Sequence, residues 1–147
     1  MNAPNIPDAI VGHEKLVAVL GRWPTFHDAE VLCMQLVRDE GRPFSGPVCT
    51  VAVCLQGEPG AQTSEGPMVT LRFYDLHDLR LASFNHQNPI LGLEIAVSGL
   101  ASKPHALASH VFDVTLQGVH EDAFSASFTC SRVEVVGVEA QVPHRRP

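Results

Sequence analysis

Apolar and polar residues alternate through much of the chain. Val69, Leu71 and Phe73 are interleaved with Thr70, Arg72 and Tyr74. Leu91, Leu93, Ile95 and Val97 are interleaved with Gly92, Glu94, Ala96 and Ser98. The same alternation runs through Phe112, Val114 and Leu116, and through Phe124, Ala126, Phe128 and Cys130. A period of two predicts antiparallel strands with one wet face. Ala29–Arg38 and Val48–Leu55 are apolar at both parities. They predict central strands covered on both sides, one of them by a helix. After Ser131 the apolar phase slips to Val133 and Val135. One residue is too short for a hairpin loop, so the expectation is one long strand bent by a β-bulge.

Helical spacing occurs once, in Asp8–Leu20, where Ile10, Val11, Leu16, Val17 and Leu20 recur on one face. Asp8 is the expected N-cap, with Ile6 packing on the first turns. Gly21 is the expected stop, with Pro24 just beyond. Glu40–Pro47, Gln56–Pro67 and Ala101–Ala108 read as loops, and the tail after Val142 as frayed. The expected fold class is α+β, mostly β: an antiparallel sheet or sheets of about seven strands with one short N-terminal helix. The 147 residues fit a single domain, 1–147, with an ordered core over about 8–142.

Composition narrows the function. Apolar residues make up 45% and charged residues 18%, which excludes disorder and coiled coil. Ten basic against 16 acidic residues give a net charge of −6. That opposes nucleic-acid binding, which needs a basic face. No apolar run is long enough to span a bilayer. The first eight residues lack the features of a secretory signal, so a cytoplasmic location is expected. Cys33, Cys49, Cys54 and Cys130 form no Cys-x-x-Cys pair and read as buried, reduced thiols.

Three stretches could carry chemistry. Trp23, Pro24, Phe26, His27 and Asp28 lie together at the start of a strand. They make either an aromatic platform beside an imidazole and carboxylates, or a structural corner filled by Trp23 and Phe26. Asp75, His77 and Asp78 form a second His-Asp set. Asn85, His86 and Asn88 crowd a polar loop before Pro89, either facing a partner or satisfying backbone groups. No Gly-x-Ser-x-Gly elbow, phosphate-cradling Gly loop or His-Glu-x-x-His motif occurs. No catalytic residue, metal site or cofactor is therefore expected.

Trp23-Pro24-Thr25-Phe26-His27-Asp28-Ala29-Glu30-Val31 resembles the signature of the Immunity protein 50 family of bacterial polymorphic toxin systems. Phe84-Asn85-His86-Gln87-Asn88, with the alternating strand that follows, is also similar to that family. So is Phe128-Thr129-Cys130 leading into Val133-Glu134-Val135. The resemblance implies a non-catalytic protein that binds and neutralises a cognate toxin in the producing bacterium. The acidic surface would steer a basic toxin domain. Expected contact residues are Asp75, His77, Asp78, Asn85, His86 and Asn88. Two other readings stay open: a small-ligand or structural domain without a toxin, and a metal-dependent hydrolase using His27, Asp28, His77, Asp78 and His86. The oligomeric state is not legible.

Overall fold

The computed structural model describes residues 6–38, 46–57, 65–100 and 110–140. Among these residues two short helices, α1 (Ile6–Ala9) and α2 (His13–Leu20), precede eight strands. These are β1 (Glu30–Val37), β2 (Val48–Gln56), β3 (Glu65–Tyr74), β4 (His77–Ala82), β5 (Ile90–Leu100), β6 (His110–Gly118), β7 (Ser125–Cys130) and β8 (Arg132–Glu139). One antiparallel sheet has the order β1-β2-β3-β8 and the other β4-β7-β6-β5. The expected β-rich α+β architecture is present, with eight strands for about seven.

A bent ribbon joins the two sheets. Tyr74 pairs with Arg132 in one sheet, and His77 pairs with Thr129 in the other. β3 therefore continues into β4, and β7 into β8, round a shared corner. The Ser131 N–H donates to the Tyr74 carbonyl at 2.9 Å, which keeps the ribbon paired through the bend. The phase slip at Ser131 is this corner. In place of the expected single strand with a β-bulge, the chain breaks there into β7 and β8 and passes from one sheet to the other. Asp75 (φ 62), between β3 and β4, and Asp78 (φ 57), at the register shift inside β4, both take left-handed backbone. Aspartate tolerates that region better than most residues.

The sheets also meet where β1 and β5 begin, at a Glu30–Pro89 bridge. Strand pairing thus runs from β5 through β6, the bent ribbon and β2 to β1, then back to β5. Between the sheets lies the core, with Phe73 and Phe128 edge to face at 4.9 Å. Val69, Leu71, Phe112, Val114, Leu116, Phe124, Ala126, Cys130, Val133 and Val135 are buried at the parities the alternation gives.

Three expectations about elements are corrected. First, the helix is not continuous from Asp8 to Leu20. Gly12 has φ 77 and separates α1 from α2. A Cβ at Gly12 would lie 2.6 Å from the Val135 carbonyl oxygen. Val11 instead bridges β8 in parallel: its N–H donates to Val133 O at 2.9 Å, and it accepts from Val135 N at 2.7 Å. That backbone exchange blunts the free edge of β8. Asp8 does not cap α2, whose N-cap is Gly12 without a side-chain bond. The stop at Gly21 holds: its N–H donates to Val17 O at 2.7 Å. α2 buries Leu16 and packs on β8.

Second, β1 is an edge strand of its sheet and leaves Leu32, Leu36 and Val37 exposed, whereas β2 is interior as expected. Third, the pairing register of β5 shifts between Ile90 and Gly92, which puts Ile90 in the core and Leu91 at the surface. Of the expected loops, Gln56–Pro67 is shorter, because Gln56 already pairs with Glu65. Residues 39–45, 58–64, 101–109 and the tail after 140 lie outside the described residues, as does the Ile6 side chain.

Candidate functional site

The segment from Trp23 to Glu30 makes the closure between β1 and β5. The Ala29 N–H donates to the Phe26 carbonyl at 3.1 Å, closing a four-residue turn. Phe26 (φ 63) and Asp28 (φ 61) both sit in the left-handed region. For a bulky residue this costs about 1–2 kcal/mol. Burial of the Phe26 ring offsets it. The turn sends Phe26 inward and leaves His27 and Asp28 outside. Trp23 is half-buried, edge-on to Phe26 at 5.7 Å. Phe26 fills this turn from the inside, and Trp23 packs against it. His27 Nδ1 lies 3.0 Å from Asp28 Oδ2, with both side chains at least half exposed (58% and 50%), where such a pair adds little stability.

A second signature stretch locks onto this turn. The Asn88 backbone N–H donates to Glu30 Oε1 at 2.8 Å, and Val31 N donates to Asn88 O at 2.9 Å. Asn88 Nδ2 donates to Val31 O (3.3 Å) and Asn85 O (2.7 Å), and its Oδ1 accepts from Asn85 N at 2.6 Å. The side chain is used on both its donor and acceptor ends. At 3% exposure, Asn88 is the buried polar residue among those described. It was expected at a partner interface. The structure makes it a clasp inside the fold, because a buried amide with its bonds made is far cheaper than one without.

Beside this clasp a groove of about 670 Å³ opens between the Trp23–His27 segment and β5. Trp23, Thr25 and His27 form one wall. Glu94 and Ile95 of β5 and Gln117 of β6 also line it. Leu93 N–H donates to Thr25 O at 3.4 Å and ties the two walls together. An indole, an imidazole, an amide and a carboxylate thus share one open groove on a strand scaffold. Such a lining can hold a ligand group against an aromatic residue, with a few polar groups to set its orientation.

The Immunity protein 50 family model matches residues 12–141. The chain belongs to the Immunity protein 50 family. No curated protein and no solved structure matches it. The clasp and the groove both lie within the matched span of this Immunity protein 50 domain.

The other expected site residues are dispersed. Asp75 and His77 occupy the ribbon corner, with His77 Nε2 3.7 Å from Asp75 Oδ1 and Asp78 exposed beside them. Gly46 packs against Asp75, and Leu76 N donates to Pro47 O at 3.0 Å. Asn85 and His86 are exposed beyond the far end of β4. The six-residue β4 separates the two groups by roughly 17 Å. His27, Asp28, His77, Asp78 and His86 therefore do not converge, contrary to what the hydrolase reading requires. Among the described residues no cluster of three or more His, Cys, Asp or Glu could hold a metal ion.

The thiols offer no activated nucleophile at Cys49 or Cys130. Burial pushes Cys49 up to about 11 and Cys130 up to about 12. Cys33 is exposed, which corrects the reading of four buried thiols. Tyr74 is also pushed up, first by burial and then by donating to Glu134 Oε1 at 2.5 Å. Sequence reasoning missed Glu94 and Gln117. Both sit at ordinary wet positions of the alternation, and only the pairing of β5 with β6 brings them beside Trp23.

Proposed function

We propose that this Immunity protein 50 domain neutralises a cognate toxin of the bacterium that makes it, in the cytoplasm, by binding. The match to the family over residues 12–141 carries this reading. The geometry supports occlusion over chemistry: the exposed His-Asp pairs are dispersed, and the groove is lined for recognition. No helix among the described residues is long and apolar enough to cross a membrane. The contact surface is centred on the Trp23–Glu94 groove. Asn85 and His86, exposed on the clasp loop, contribute to it. Asp75, His77 and Asp78 provide a second contact at the ribbon corner.

The test is co-expression with the toxin encoded beside the gene. Restored growth and a co-eluting complex are expected. Persistent toxicity with no complex overturns the proposal.

A further inference from the structure

Resting on the reading of the chain as a toxin-binding protein, we propose that the groove between Trp23 and Glu94 seats a cationic side chain, an arginine or lysine, of the partner protein. Glu94 is exposed on β5 and has no hydrogen bond or ion pair among the described residues. Among the described residues, no lysine or arginine lines the groove. Among the described residues lining it, the imidazole is His27, which already faces Asp28 at 3.0 Å. The groove therefore holds an unanswered negative charge.

Trp23, set edge-on against Phe26, lines the same groove as Glu94. A cation between an indole and a carboxylate gains both ring attraction and charge pairing. A guanidinium fits better than an ammonium, since it stacks on the ring and gives two parallel N–H bonds to the carboxylate. The Gln117 side-chain amide supplies a further acceptor in the groove. The whole chain, at net −6, adds to the attraction. A second copy of this chain is a poor occupant. Two copies meeting here would each bring a net charge of −6 to the contact.

The sole tryptophan makes the groove observable, because the fluorescence of Trp23 reports on it alone. An acetylated hexa-arginine peptide should change that fluorescence saturably, and added salt should weaken the response. Glu94→Lys should weaken peptide binding by about tenfold or more. Glu139→Lys, the same charge change on an exposed residue of the other sheet, should weaken it by less than about twofold. Equal losses in the two variants, or no fluorescence change, overturn the proposal.

The co-encoded toxin separates the two claims. Toxin held equally tightly by wild type and Glu94→Lys overturns the groove proposal and leaves the immunity reading standing. A saturable peptide response that Glu94→Lys abolishes, with no binding of the toxin, overturns the immunity reading and leaves the cationic seat standing.

Discussion

Glu30 accepts a hydrogen bond from the backbone N–H of Asn88 at 2.8 Å, across 58 residues of sequence. The contact joins the start of β1 to the start of β5 and so closes the strand ring. It also brings two signature stretches, the Trp23–Val31 segment and the Phe84–Asn88 loop, into one structure.

Removal of the clasp should destabilise the fold. Asn88→Ala strands the Val31 and Asn85 carbonyls and the Asn85 N–H, and should cost about 2–3 kcal/mol in urea unfolding. Glu30→Gln keeps an acceptor oxygen and should cost less than about 1 kcal/mol. Equal losses would mean that the Asn88 side chain is not the clasp.

The two left-handed glycines flanking α2 should respond differently to alanine. Both pay the backbone penalty, at φ 77 and φ 78. At Gly21 nothing lies within 4 Å of an added Cβ, so Gly21→Ala should cost about 1 kcal/mol. At Gly12 the Cβ meets Val135 O at 2.6 Å and would force Val11 off β8. Gly12→Ala should cost about 2 kcal/mol or more beyond that. Thermal or urea unfolding of the two variants checks the order.

Much of this fold is legible in the sequence. The alternation at Val69–Phe73, Phe112–Leu116 and Phe124–Cys130 names the buried faces correctly, because side-chain direction along a strand is a local property. What depends on a distant partner is not legible. Gly12 breaks the helix because Val135 O occupies the space its Cβ would fill. Leu91 leaves the core because the register against β6 slips there. Asn88 looks like any loop amide until Glu30 and Val31 surround it. The site suffers most: Trp23 and His27 stand out as a motif, but Glu94 acquires meaning only across the groove.

Alkali should weaken the fold through its buried thiols. Burial raises Cys49 from 9.0 to about 11 and Cys130 from 9.0 to about 12. A raised pKa means that the folded state holds its proton more tightly. The stabilising difference is fully present below the unfolded value, near 9, and is lost as pH climbs from there through the folded values. Each thiol should remove up to about 1.4 kcal/mol per pH unit in that window. Urea midpoints should match at pH 7 and 8 and fall by pH 10, less so in Cys130→Ala. A thiol reagent at pH 8 should label Cys33 rapidly and the other three only after unfolding.

Trp23 should matter more to recognition than to folding. Its ring is half-buried, so Trp23→Ala should cost about 1–2 kcal/mol, less than the ~3–5 kcal/mol of a fully interior ring. The variant should stay folded by circular dichroism yet lose toxin binding by about tenfold or more. A variant that binds as tightly as wild type would remove the indole from the interface.

The most direct measurement titrates the purified chain into a fixed amount of its co-encoded toxin while toxin activity is followed. A surface blocker should lower activity in proportion to the amount added, reach its floor at one chain per toxin, and release active toxin when the complex is dissociated. Loss of activity at a small fraction of one equivalent, or full activity at large excess, would contradict neutralisation by occupancy.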